Sequence, residues 1–436
     1  MDKTSCERTR RKRIFGPLLA SVLVMVVASW AAAVEPAPDR VTLAEALDLL
    51  EKQNPDTLAA RLQVAQAEAE RLTARLYANP TLSIDVNDLP AGRTNPPGLS
   101  PGQTIGGTVR LDQPLALWGK RRLRLQGAET GIAAAKEEER DALRQLRSAV
   151  KDAFYGVVHD RRLLDFTVTN RERYQQIVDL NERRFRSGDL AEVDFRKVEL
   201  ENLKRLAEEE DARRALAERR QLLGRLIGSA HGVEAVGSLT APTAQIDGEQ
   251  ALLLAMDNRP DLAAAQRLRA QAELALDLAR RERYPDVTVG VDYTRSEFVT
   301  GGNIRNTVGF GFSLPLPLLN RNQGEIAKAD VNLRQADADL KRLRLDIAQD
   351  VHDAVERYRS ARRLLLTFES GYLDHAKVMV DAAEKSYRIG AASLLELLDA
   401  ERTYVATQTD FLDSVFSARA SLNALERSIG VDVGSE

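Results

Sequence analysis

The sequence repeats itself at long range. Asn54-Pro55-Asp56 opens a helical pattern that closes at Asn79-Pro80, and Arg259-Pro260-Asp261 opens another that closes at Tyr284-Pro285. Pro55 to Pro260 and Pro80 to Pro285 are both offsets of 205 residues. Proline suits the first turn of a helix and disfavours helix in the residue before it, so each proline marks a boundary. A gapless match of two proline-bounded helices is a duplication, and every later element should therefore occur twice. The expected units are residues 34–240 and 241–436, after a leader of residues 1–33.

Past each second proline the apolar period changes from helical to two. Leu82, Ile84 and Val86 alternate with Ser83, Asp85 and Asn87, while Val287, Val289, Val291 and Tyr293 alternate with Thr288, Gly290 and Asp292. A loop rich in Gly, Pro and Asn follows, and then a returning strand: Val109 and Leu111 against Thr108, Arg110 and Asp112; Val308, Phe310, Phe312 and Leu314 against Gly309, Gly311 and Ser313. Each unit thus supplies one β-hairpin, 81–113 and 286–314, with one apolar face and one small or polar face.

After the strands the helical pattern runs without a proline to Gly188 in the first unit and from Gln323 to Gly390 in the second, an offset of 202 between the two glycines. Roughly 65 residues at 1.5 Å each make a rod on the order of 100 Å long. Glycine takes the left-handed conformation of a helix C-cap, so Gly188-Asp189-Leu190 and Gly390-Ala391-Ala392 are predicted hairpin tips, from which a second helix returns to about Ile227 and Ile429. Leu143, Leu146, Val150, Phe154 and Val157 form an apolar seam at coiled-coil spacing. Such helices suit either a solid bundle or a hollow helical barrel.

The first 33 residues combine six Lys or Arg, an apolar stretch from Pro17 to Trp30 and Ala31-Ala32-Ala33, the three parts of a secretory signal peptide with cleavage expected after Ala33. Cys6 is the only cysteine and lies in that leader, so thiol chemistry is excluded from the mature chain. Without the leader, 56 basic residues stand against 63 acidic ones, which does not suit a nucleic-acid binder. His159, His231, His352 and His375 are scattered, and none forms a ligand spacing, so no metal site and no cofactor are expected. No phosphate loop, nucleophile elbow or HExxH motif is present, and no enzyme is expected.

Four strands cannot close a transmembrane barrel, which needs at least about eight, and an open sheet edge is not tolerated in lipid. The strands must then be shared between chains, and three copies would give twelve. The competing reading is a soluble exported coiled-coil scaffold, which explains the helices but not four cleanly alternating strands.

Over residues 41–430 the chain resembles the TolC family of outer-membrane efflux proteins. The resemblance rests on the duplicated Asn-Pro-Asp and Arg-Pro-Asp starts, Tyr284-Pro285-Asp286-Val287-Thr288-Val289-Gly290, Leu314-Pro315-Leu316-Pro317-Leu318 with Asn320-Arg321-Asn322-Gln323-Gly324-Glu325, and Leu394 to Ala400 beyond the second tip. It implies a homotrimer: mainly α, with long antiparallel helical hairpins and four strands per chain, a twelve-stranded barrel in outer-membrane lipid and a periplasmic α-helical barrel. It also implies a passive exit duct working with a periplasmic adaptor and an inner-membrane pump of the RND type. Gln113-Pro114-Leu115 with Gly119-Lys120-Arg121 looks like the cobalt-zinc-cadmium branch, with ducts for drugs or secreted polypeptides as the alternative cargo. By resemblance, Glu396 and Asp399 narrow the periplasmic entrance, and Asp194 stands at the position of Glu396 in the first unit. The family's ion-pairing basic residue is replaced by Ala392. The two tips, Gly188 to Leu190 and Gly390 to Ala392, are the expected adaptor contacts.

Overall fold

The structure is a computed structural model that describes residues 38–94, 97–297 and 304–433. The leader of residues 1–33 lies outside the described residues. In the first unit β1 (Arg40–Val41) leads into α1 (Leu43–Gln53) and α2 (Pro55–Arg75). Then come β2 (Thr81–Asn87), the single turn α3 (Pro101–Thr104), β3 (Gly106–Leu115), α4 (Lys120–Arg186), α5 (Glu192–Leu226) and the short β4 (Glu234–Ala235), which pairs in parallel with β1. The second unit holds α6 (Gly248–Asn258), α7 (Pro260–Glu282), β5 (Val287–Ser296), β6 (Asn306–Ser313), α8 (Gln323–Thr367), α9 (Leu373–Arg388) and α10 (Leu394–Ile429).

Local chemistry sets the boundaries. Asn54 Oδ1 accepts the free amides of Asp56 and Thr57 at 2.7 and 3.1 Å, with Pro55 at the first helical position, so the Asn-Pro-Asp phrase is a working N-cap. At the strand-to-helix passage Gly119 takes φ 72° and Lys120 begins α4. The Lys120 ammonium is buried and donates to the Tyr284 carbonyl at 2.7 Å and to Asp286 at 2.9 Å, while Arg121 donates to the Arg75 carbonyl at 2.9 Å. Gly119-Lys120-Arg121 therefore fastens the start of α4 to the ends of α7 and α2, where carbonyls are left without helical partners.

The strands β2, β3, β5 and β6 form one antiparallel sheet in that order, with the two hairpins joined through β3 and β5. Its register puts Leu82 opposite Leu111, Leu111 opposite Val291 and Val291 opposite Phe310, so the apolar residues of all four strands share a face. That face is uncovered: Phe310 and Phe312 are 86% and 80% exposed. Side chains this large and this open fit hydrocarbon rather than water.

Among the helices, α4 is continuous over 67 residues. It runs beside α2 and α7 in its first part and beside α5 beyond, and α8 lies against α7 and α10. Val150, Phe154 and Val157 of the predicted seam are buried in the largest core cluster with Leu50, Leu216, Leu223 and Leu365, and Leu143 and Leu146 pack on its flank. One expectation fails. The helix read as unbroken from Gln323 to Gly390 is interrupted by a wide π-type turn at Phe368–Tyr372, where Gly371 sits at φ 115°. Glycine permits that conformation, and without a proline nearby the apolar period runs straight through it.

Candidate functional site

Both predicted tips are Schellman turns. In the first, Gly188 has φ 84° and the Asp189 amide reaches back to the Arg184 carbonyl at 2.8 Å; in the second, Gly390 has φ 76° and the Ala391 amide reaches the Ser386 carbonyl at 2.8 Å. The Ala392 amide also points at the Ser386 carbonyl, at 3.2 Å. Leu190 lies two residues before α5, and the stacked pair Phe185–Phe195, with ring centroids 5.0 Å apart, joins the two helices of the first hairpin.

Two side chains tie the tips together. The Arg184 guanidinium donates to the Tyr387 and Arg388 carbonyls at 3.3 and 3.0 Å, capping the end of α9, and lies 4.9 Å from the centre of the Tyr387 ring. The Tyr387 hydroxyl donates to Asn181 Oδ1 in the buried interior of α4. The first hairpin thus holds the end of the second within one chain.

Glu396 and Asp399 lie one turn apart at the start of α10, both exposed. The Glu396 carboxylate is already engaged: Oε2 accepts the Ser393 amide at 2.7 Å and its hydroxyl at 3.0 Å, and the Glu396 amide donates to Ser393 Oγ at 3.3 Å. This is a complete capping box. The backbone bond from Ser393, and then the hydroxyl, hold the Glu396 carboxyl below the usual glutamate range, so it stays ionised in the periplasmic pH range. Asp194 occupies the matching position on α5 but has Ala191 where a capping residue would stand, and it pairs with Lys197 at 3.0 Å. Glu396 and Asp399 thus stand one turn apart on α10, while Asp194 lies on α5 with a cation of its own. Ser393→Ala is expected to speed deuterium uptake at the Glu396 amide severalfold and to leave the Asp194 segment unchanged, as read by hydrogen exchange on the tip peptides.

Above the tips lies a charged cluster that periodicity did not reveal. All four hairpin helices contribute: Arg173 and Tyr174 from α4, Glu201 and Arg205 from α5, Asp381 and Glu384 from α9, Glu401 and Arg402 from α10. Arg173 Nη2 lies 2.9 Å from Glu384, 3.2 Å from Asp381 and 3.6 Å from Glu401, and Arg402 joins Glu201 at 2.8 Å. Glu401 is 1% exposed, and its Oε1 accepts no hydrogen bond. Burial pushes its carboxyl above the ordinary glutamate value; Arg173 and Arg205 oppose the rise, and Glu384 and Asp381 add to it. A readable signal did exist. On α5 the buried positions Val198, Glu201, Arg205, Glu209, Ala212 and Leu216 recur at seam spacing, with charges where apolar side chains are the rule.

Among the described residues no group of His, Cys, Asp or Glu is placed to hold a metal ion, and no helix is long and apolar enough to cross a membrane.

The model of the family described as "Outer membrane efflux protein" matches residues 46–229 and 251–431, one segment in each unit. The cobalt-zinc-cadmium resistance protein CzcC of Cupriavidus metallidurans is 24% identical over 392 residues, covering 89% of this chain and 90% of that one. The cation efflux system protein CusC of Escherichia coli is 25% identical over 177 residues, 39% of this chain and 38% of that one. Among solved structures, CusC superposes with a TM-score of 0.74 at 18% identity, covering 89% of this chain and 92% of that one. The outer membrane protein VceC of Vibrio cholerae superposes with a TM-score of 0.74 at 17% identity, covering 90% and 96%. With both units matched and the whole fold shared, this chain belongs to the outer membrane efflux protein family, its sheet lying in the outer membrane and its helical rod extending into the periplasm as parts of an efflux duct.

Proposed function

We propose that three copies of the chain close into one duct that conducts heavy-metal cations from the periplasm to the exterior. In this reading a periplasmic adaptor docks on the tips around Gly188–Leu190 and Gly390–Ala392, and a proton-driven inner-membrane pump supplies the cargo. The observation that carries it is the similarity to the cobalt-zinc-cadmium resistance protein over nearly the full length of both chains. The electrostatics support it: Glu396 and Asp399 of three chains would set six carboxylates around one axis, with each Glu396 kept ionised by its own cap. Since no group among the described residues is placed to ligate a metal, choice among cations would rest with the pump.

A strain lacking this protein is expected to lose tolerance to zinc, cobalt, cadmium or copper and to regain it on complementation, with the protein recovered from outer membranes as a heat-resistant trimer. Unchanged tolerance to all four metals, with the trimer present, would remove the cation assignment and leave the duct. An E396Q/D399N variant is expected to leak small antibiotics inward, measured as a lowered inhibitory concentration, because the ring that would narrow the entrance no longer carries charge.

A further inference from the structure

The sheet face opposite the apolar one has its own organisation. Among the described strand residues it carries one cation, Arg110, and three carboxylates, Asp85, Asp112 and Asp292; its other side chains are small or polar. Arg110 Nε donates to both oxygens of Asp112, at 3.0 and 2.8 Å, and Nη1 lies 3.6 Å from Asp292 Oδ1. The register sets Arg110 opposite Asp292, and Asp292 opposite Gly309; beside them run Asp112, Gly290 and Gly311.

The three glycines make room for these charges. A Cβ at Gly309 would lie 2.7 Å from an Asp292 oxygen and one at Gly311 would lie 3.2 Å from Arg110 Nη2, while Gly290 abuts both Asp112 and Arg110. The guanidinium therefore lies along the sheet, over β5 toward β6, instead of standing away from it. The wall carries charge without bulk.

We propose that Arg110 sets the ion selectivity of the membrane section of the duct. This rests on the reading above, that three chains close with this face inward. Three carboxylates against one guanidinium leave each chain a net charge of −2 on the inner wall. Charge on a low-dielectric wall concentrates the opposite ion, and at about 0.1 M salt its influence reaches about 10 Å into the lumen. The wall thus favours cations. Arg110 neutralises part of the acidic wall, so cations are attracted and still released, as conduction requires. The same pairing holds the side chain out of the path.

The test is the reversal potential of the purified trimer in planar bilayers under a potassium chloride gradient, in an E396Q/D399N background so that the tip carboxylates do not dominate. Relative to that background, R110Q is expected to raise the potassium-to-chloride permeability ratio severalfold. D112N/D292N is expected to lower it severalfold, and R110K to keep it near the starting value. Trimers of R110Q and D112N/D292N that conduct normally with an unchanged ratio would overturn the assignment of Arg110 and leave the duct standing. Trimers that conduct no ions in any form would overturn the closed barrel itself, and the assignment with it.

Discussion

Arg173→Met is expected to destabilise the helical hairpins by about 3–5 kcal/mol, the usual cost of removing one partner from buried ion pairs. The arginine is the one cation shared by Asp381, Glu384 and Glu401, and Glu401 is buried almost completely. Without it, the buried Glu401 carboxylate is left facing the partly exposed Glu384 and Asp381 with no cation between them. Adding Glu401→Gln should recover more than half of the loss, because the residue with the least solvent then carries no charge. The pH dependence follows from the same group. The folded-state pKa of Glu401 is raised above its ordinary value of 4.5, so folding favours the protonated form. The stability linked to it is fully present below about pH 4.5 and is lost as the pH rises through the raised value. Thermal melts of the detergent-solubilised protein at intervals from acid to neutral pH should show the stability of the native chain falling relative to that of Glu401→Gln as the pH rises, on top of the shared slope set by carboxylates such as Glu201 and Asp261 whose pKa values are lowered. A profile unchanged by that substitution would rule out Glu401 as the titrating group.

The second large effect belongs to the sheet. Phe310→Lys places an ammonium at one of the most exposed apolar positions of β6, and a lysine facing lipid near the bilayer midplane costs about 2–4 kcal/mol. Three chains would multiply that cost within one barrel. The variant should be depleted from outer-membrane fractions and degraded, whereas Thr307→Lys, on the opposite face of the same strand, should assemble. Equal assembly of the two would contradict the assignment of the apolar face to lipid.

Much of this architecture is readable from spacing. Pro55 and Pro260, at matched offsets, open helices in both units because proline acts locally, wherever it stands in the fold. The alternating strands are equally direct: a period of two assigns faces before any partner is known. What spacing does not carry is adjacency. The pairing of β3 with β5 joins residues about 180 positions apart, and nothing in either strand names its neighbour. Gly371 escaped for the opposite reason, since a single positive φ leaves the surrounding period intact. Glu396 shows how one residue carries two messages. Ser393-Leu394-Leu395-Glu396 has the spacing of a capping box, and its carboxylate both caps the start of a helix and faces solvent at the tip. The four-helix cluster could have been found by asking which seam positions are charged, because a charge tolerated in a seam requires partners from neighbouring helices.

The ladder between β3 and β5 spans ten residue pairs, against seven within the first hairpin and eight within the second. It joins the return strand of one unit to the outgoing strand of the other. A barrel of several chains would need the same kind of contact once more per chain, between β6 of one copy and β2 of the next. Each chain therefore carries, inside itself, a template of the contact by which it would meet its neighbour. In such an assembly the six hairpins would meet at near-equivalent seams, three covalently continuous and three not. The seams between chains would then be antiparallel as well, but β2 limits them to seven residues against the ten pairs that a single chain forms unaided.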